Sequence, residues 1–395
     1  MSYFKKSNTE NLEGIEEVVV SAVGGDLEII GVDEPAGELF WEAVWSKENS
    51  NAEVVRDEKK LILRFDDKGS SVKFFGITIT TSGGLGVNFG DLRKATIKIP
   101  RSVLKDISIK TISGDVEAER LKADNLTFST SSGDVVNKES VSKSLTASTK
   151  SGDIKCADVH SEEKTKLSSI SGDIRTFSLD TKDLDFTTKS GDVKMDPLSD
   201  KISSVKGSNV SGDIAIRNLS KEAKLTTVSG DIMLKCTKTG KTSWRFKSVS
   251  GDIDVICNPI DALITFDTVS GEYLFKNKKP MIKEKNHFVF GSGEEGRIDI
   301  KTVSGSMIFK TADIEEEKGK AEKEFDETVE TGRKQHHDPD AERIVYTCQQ
   351  GIITEEEAYE MLRILDYSDD EINRLMLDLG VKEKEENEES EEENE

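Results

Sequence analysis

Ile107-Ser108-Ile109-Lys110-Thr111-Ile112-Ser113-Gly114-Asp115-Val116-Glu117-Ala118 is the stretch whose reading decides the fold. Before the glycine, apolar residues alternate with polar ones, the two-residue period of a half-buried strand. After it, the apolar set resumes on the other parity at Val116 and Ala118. The chain therefore turns a corner at Ser-Gly-Asp. Glycine suits a corner that needs positive φ, and Ser and Asp can hydrogen-bond nearby backbone groups there.

The triplet recurs with its glycine at 133, 152, 172, 191, 212, 230 and 251, at intervals of 18 to 21 residues. Ser270-Gly271-Glu272 continues the series, and Ser304-Gly305-Ser306 closes it after a longer insertion. A unit this short cannot bury its own apolar side, so stacking is implied. The fold class expected is mainly β: a parallel β-solenoid of about ten rungs, right-handed by the crossover preference and roughly 45 to 50 Å long. A second corner is expected after Leu121, Val141, Leu179 and Leu219.

The register makes further assignments. Thr111, Thr130, Thr149, Thr188, Thr227 and Thr268 fall at one inward position and should form a threonine ladder whose hydroxyls bond along the stack. Cys236 and Cys257 should be neighbours on adjacent rungs, and Cys156 should be core filler, since buried free cysteine acts as a small apolar residue. Val18 to Ile29 align with Ile107 to Ala118 as a degenerate first rung. Leu39 to Trp45, Lys60 to Phe65, Val72 to Thr80 and Ala95 to Ile99 should cap or widen that end.

The organisation expected is a flexible start at 1–14, a solenoid over 15–312 with divergent rungs and cap at 15–100, and a charged linker or helix at 313–339. A helical module at 340–381 and a disordered acidic tail at 382–395 follow. Ile344, Val345 and Cys348 have helical spacing, Gly351 is placed to end that helix, and Thr354-Glu355-Glu356-Glu357 reads as a capping box. A third short helix from Asp369 carries Ile372, Leu375, Met376 and Leu379.

Composition narrows the function. The 395 residues carry Lys+Arg 55 against Asp+Glu 77, a formal charge of -22, and 34% are hydrophobic. Such an excess of carboxylates disfavours nucleic acid, whose binding rests on Lys and Arg displacing counterions. No stretch approaches the roughly 20 apolar residues of a membrane-spanning helix, and Met1 to Glu17 is polar where a secretory leader would be apolar. A cytoplasmic protein, with peripheral envelope association allowed, is the expectation. The four cysteines include no C-x-x-C pair, so neither a zinc site nor a disulfide framework is indicated.

Three sharper readings stand against plainer ones. Gly291-Ser292-Gly293-Glu294-Glu295-Gly296 has the letters of a dinucleotide fingerprint, but Arg297-Ile298-Asp299-Ile300 alternates like a strand where that motif needs a helix. The corner aspartates Asp115, Asp134, Asp153, Asp173, Asp192, Asp213, Asp231 and Asp252 invite a calcium reading, against which stands corner capping by hydrogen bonds. A carbohydrate enzyme would need paired carboxylates and aromatic platforms. Yet Phe128, Phe186 and Phe266 fall on inward positions, Trp41, Trp45 and Trp244 do not recur with the period, and His160, His287, His336 and His337 have no evident partner. No catalytic, cofactor-binding or metal-binding residue is assigned.

Ile97-Lys98-Ile99-Pro100, Leu104, Ile107 and the run of Ser-Gly-Asp-Ile/Val corners resemble the bacterial adhesin-like family, β-strand-repeat proteins grouped as a domain of unknown function. The resemblance covers Val18 to Lys310 and implies a non-enzymatic binding or scaffold role linked to cell-envelope stress. Ile344, Gly351, Ile353-Thr354-Glu355-Glu356 and Leu362 to Leu365 are similar to the SHOCT-like helical module that accompanies this repeat in relatives. Partners expected are a protein or a cell-envelope component, with self-association as a further option. The alternative function is a self-assembling rod or spacer.

Overall fold

A computed structural model describes residues 3–33, 37–48, 50–65, 72–74, 77–79, 91–101, 104–219, 221–236, 241–257 and 261–311, with Tyr359, Ile372 and Met376 beyond them. The chain divides into two units, Met1–Ile314 and Glu315–Glu395. The first is a stack of parallel coils, mainly β, in a sheet that does not close on itself. Each coil lays one strand before the corner glycine and one after it, and each strand pairs in parallel with its equivalents above and below. Ile107 thus pairs with Val18 on one side and Leu126 on the other, and Val116 with Leu27 and Val135. A one-residue slip would expose the whole inward set, so the alternation itself holds this register.

Twelve rungs stack among the described residues, two more than the triplets suggest, and their order departs from chain order at both ends. The Val18 rung lies second. Lys60–Arg64 and Leu92–Pro100, expected as cap, make the first rung: Val18 pairs with Leu61, and Leu27 with Ala95. At the far end the Gly271 rung is outermost. The later Gly305 rung inserts beneath it, because Gly296–Lys301 pairs with both Thr242–Lys247 and Ala262–Asp267. The hairpin of Ile282–Glu284 and His287–Phe290 is the detour that permits this insertion.

Inside, the sequence register holds. Phe128, Phe186 and Phe266 are buried, as are the three tryptophans. Cys236 and Cys257 are paired neighbours, and Cys156 is buried between Asn137 and Thr176. Glu38–Trp45 caps the first rung antiparallel to Leu92–Pro100, and Trp41 packs edge-on to Phe65 at 5.7 Å.

The second corner precedes the expected residues instead of following them. Arg120, Glu139, Asp158, Ser178 and Asn218 take positive φ between 51° and 67°, and Leu121, Leu179 and Leu219 come immediately after such residues. These corners tolerate left-handed backbone without glycine, which leaves strain of about 1 kcal/mol or more at each.

In the second unit Tyr359, Ile372 and Met376 are helical, and Ile372 and Met376 are buried. The remainder of the 313–339 linker, the 340–381 module and the 382–395 tail lies outside the described residues, as do His336, His337, Cys348 and the glycine-rich stretch 83–90. Among the described residues almost no helix is present, and the SHOCT-like module is not supported.

Candidate functional site

The repeated corner is the most constrained chemistry in the molecule. Its glycines are there for closeness, and positive φ is not the common reason. Gly133, Gly152, Gly172, Gly191, Gly212, Gly230 and Gly251 are absent from the positive-φ set. A Cβ on Gly152 would instead lie 2.0 Å from the carbonyl oxygen of Gly133, and one on Gly172 1.9 Å from that of Gly152. Backbone packs on backbone at this edge, and a side chain has no room.

The threonine column is buried at Thr111, Thr130, Thr149, Thr188 and Thr227, and partly so at Thr268. Its hydroxyls do not bond to one another. Thr149 Oγ1 accepts from the amide of Gly152 at 3.1 Å and donates to the carbonyl of Gly133 at 3.0 Å. Thr130 does the same between Gly133 and Gly114. Ser169 and Asn209, outside the threonine reading, occupy the same place, and Asn209 Nδ2 donates to Gly191 O and Gly212 O. At these four rungs the column bridges glycine backbones of successive rungs, whereas the hydroxyls of Thr111, Thr227 and Thr268 make no such bond.

The aspartates form a second ladder. The amide of each corner aspartate donates to Oδ1 of the aspartate on the rung before, from Asp115 onto Asp26 through Asp252 onto Asp231, at 2.8 to 3.1 Å. Ser306 then donates to Asp252 Oδ1 at 2.7 Å, continuing it into the inserted rung. One oxygen of each of these carboxylates is thereby committed to the backbone. Burial pushes Asp134 above the ordinary carboxylate range, and the charge of Asp153 adds to that push while its amide opposes it. Among the described residues no three His, Cys, Asp or Glu side chains converge as a metal cluster.

The Gly291-Ser292-Gly293 motif is a backbone nest whose anion comes from the chain itself. Gly291 and Gly293 have φ +66° and +76°. The amides of Ser292, Gly293 and Glu294 all donate to the carboxylate of Asp261, as does the Ser292 hydroxyl. The Ser292 hydroxyl and these amides hold Asp261 below its usual range. Successive amides of this kind cradle anions in general. Here the cradle pins the returning chain to the start of the outermost rung.

His160 is not isolated: its Nδ1 lies 2.8 Å from Asp180 Oδ2 on the next rung, which also receives Lys201 at 2.6 Å. His287 lies on the hairpin opposite Glu284.

One surface feature escaped the sequence reading. The residue between the corner threonine and Ser-Gly points outward, and over the last five rungs it is always valine. Ser229 donates to Val210 O, Ser250 to Val228 O, Ser304 to Val249 O and Ser270 to Val303 O, which fixes the spatial order Val210, Val228, Val249, Val303, Val269. Their exposures run from 44% to 82%. At the ordinary strand spacing this is an apolar ridge roughly 19 Å long. The signal was present as the recurring Val-Ser-Gly, but strand alternation alone does not say which side of a corner faces water.

A family model for Toastrack DUF4097 matches residues 15–216 and 199–308, which takes in every rung. The chain belongs to the Toastrack family. The match ends at residue 308 and the second unit begins at Glu315, so the Toastrack assignment concerns the coils alone. Among curated proteins none matches. Solved structures similar to it include a candidate cell-adhesion protein from Clostridium sporogenes ATCC 15579, at 12% identity and TM-score 0.22, over 79% of this chain and 100% of that one. Also similar are a candidate adhesin from Bacteroides fragilis NCTC 9343 (12%, TM-score 0.34) and a candidate lipid-binding protein from Parabacteroides distasonis ATCC 8503 (12%, TM-score 0.37). Each of these two aligns over 78% of this chain and 97% of its own.

Proposed function

We propose that this Toastrack protein is a non-enzymatic, adhesin-like binding or scaffold protein whose contact surface is the valine ridge and the walls beside it. The single observation carrying this reading is the five-valine stripe, exposed on a scaffold that buries its other repeated apolar columns. Contiguous exposed apolar surface marks interaction sites, and valine, stiff at χ1, loses little side-chain entropy on binding. The partner we infer is a protein or a cell-envelope component, met in the cytoplasm or at the inner envelope surface, with a role in envelope stress. Residues 340–381, similar to a SHOCT-like module, would supply a second docking arm.

The test is affinity capture from cell extract with the full chain, with Val228→Lys/Val249→Lys, and with a chain lacking 340–395. Loss of a partner from the lysine variant supports the ridge, and loss from the truncated chain supports the arm. If all three baits retain the same partners, neither surface binds.

A further inference from the structure

The stack has four terminal strand edges, two at each end, and three are closed in the same manner. Lys60–Arg64 carries Glu53–Asp57 antiparallel, Leu92–Pro100 carries Glu38–Trp45 and then Phe4–Asn11, and Ala262–Asp267 carries His287–Phe290 and then Ile282–Glu284. The outermost strands of these caps, Phe-Lys-Lys-Ser-Asn-Thr-Glu-Asn, Glu-Val-Val-Arg-Asp and Ile-Lys-Glu, carry the charges that discourage further pairing. The fourth edge is Tyr273–Lys276, which among the described residues pairs on one side only, in parallel with Met307–Thr311.

The free side of that strand can be specified. Met307 donates its amide to Glu272 O, so in a parallel ladder Glu272, Leu274 and Lys276 turn their backbone groups inward, and Tyr273 and Phe275 turn theirs to the open edge. Leu274 is 48% exposed, and nearby Val269, Met281 and Ile282 are 82%, 74% and 52% exposed. Tyr273 and Phe275 are partly buried members of an aromatic cluster with Phe288, Phe290 and Phe309, with ring centroids 4.7 to 6.2 Å apart.

We propose that this edge binds the same edge of a second copy of the chain, antiparallel, with the two-fold axis at Leu274. Charge selects the register. With Leu274 opposite Leu274, exposed Glu272 faces Lys276 of the other copy twice, and Tyr273 faces Phe275 twice in the hydrogen-bonded positions, giving four backbone bonds. Centring on Tyr273 or Phe275 instead sets a charge against Leu274. Opposite charges and aromatic pairs directly across strands are the favourable combinations. The contact is isologous, so assembly stops at two copies and does not lengthen into a filament. The inference stands apart from what the valine ridge binds.

Sedimentation velocity of the full chain over a wide concentration range tests it. The wild type should pass from monomer to dimer. Glu272→Lys and Lys276→Glu should each weaken the dimer by about tenfold or more, and the double exchange should bring it back, because the pairing is then merely reversed. Both positions are exposed, and an unchanged melting temperature confirms that the fold is intact. Leu274→Cys should also give a covalent dimer on mild oxidation, since Cα atoms in that kind of pair lie about 4.5 Å apart. A chain that stays monomeric overturns the proposal. So does a dimer indifferent to the single reversals, one not restored by the double exchange, or assembly beyond two copies.

Discussion

The amide of Asp153 donates to Oδ1 of Asp134 across 2.8 Å, joining two successive rungs at a corner where neither glycine can offer a side chain. The bond needs an acceptor and no charge. Asp134→Asn should therefore keep it while removing a carboxylate from a column of like charges. Asp134→Ala leaves the Asp153 amide without a partner and should cost ~1–3 kcal/mol. The pH dependence has a definite sign. Because the folded state raises the pKa of Asp134 above its ordinary 3.8, its contribution is fully present below that value and is lost as pH rises through the folded pKa. Denaturant melts of wild type and Asp134→Asn should converge in acid, with the variant gaining relative stability toward neutrality. A gap that widens in acid would contradict the burial argument.

Glycine should act with opposite sign at the two corners of one rung. At Gly152 an added methyl meets the Gly133 carbonyl at 2.0 Å, and only a shift of stacked backbone relieves it. Gly152→Ala should cost ~3 kcal/mol or more. At the second corner Glu139 is exposed with φ 51°. Left-handed strain of ~1–2 kcal/mol there exceeds the ~0.5–1 kcal/mol of added chain entropy that glycine brings, so Glu139→Gly should stabilise by about 0.5–1 kcal/mol. Chemical denaturation of the two variants measures both signs.

These corners show what could be read from the sequence and what could not. The inward columns, the Cys236–Cys257 pairing and the alignment of Val18 with Ile107 followed from period alone, because parallel in-register stacking makes each rung a copy of its neighbour. Rung order did not follow. Nothing local in Ser304-Gly305-Ser306 distinguishes an inserted rung from a terminal one, since the difference lies in which strand accepts the hydrogen bonds. The partners of Thr149 and Asp134 were likewise hidden, because hydroxyl and carboxylate both serve backbone groups whose positions only the three-dimensional stack defines. The valine ridge was visible as a motif and was missed because a corner residue has no strand parity.

Phe186 and Gly207 are direct neighbours on adjacent rungs, and a methyl on Gly207 would meet the ring Cζ at 2.0 Å. The large ring and the missing side chain fill one volume. Gly207→Ala alone should cost ~1–3 kcal/mol by overpacking. Combined with Phe186→Leu, the loss should fall short of the sum by about 1 kcal/mol or more, the mark of residues sharing a space. A strictly additive double-mutant cycle would show that the core relaxes independently at the two sites.

Glu16 ties the first three rungs together. Its carboxylate takes Lys105 at 2.6 Å and Lys59 at 2.7 Å, and those two hydrogen bonds, Lys105 first, lower its pKa to about 2. A depressed carboxylate stabilises the fold above its ordinary pKa of 4.5 and loses that contribution as pH falls toward 2. Glu16→Gln should therefore flatten the acid limb of the stability profile over that window. The pair is open to solvent, so the difference between wild type and variant should shrink near 1 M salt, where the Debye length is only about 3 Å. An acid limb unchanged by the substitution would show that these bonds do not persist in solution.

The thiols report on the integrity of the stack. Burial pushes Cys156 up to about 12, and Cys257 is raised by its hydrogen bond to Cys236 together with burial. The thiolate is the reacting species and all three thiols are buried, so none should meet a reagent readily in the native state. In a Cys348→Ser background, labelling by a thiol reagent at neutral pH should wait for unfolding and rise with denaturant along the same curve as the loss of strand circular dichroism. Cys236 and Cys257 should become reactive together, since opening either rung exposes both. Cys156 lies several rungs away, and if it labels ahead of the other two, the stack opens in sections and not as one cooperative unit.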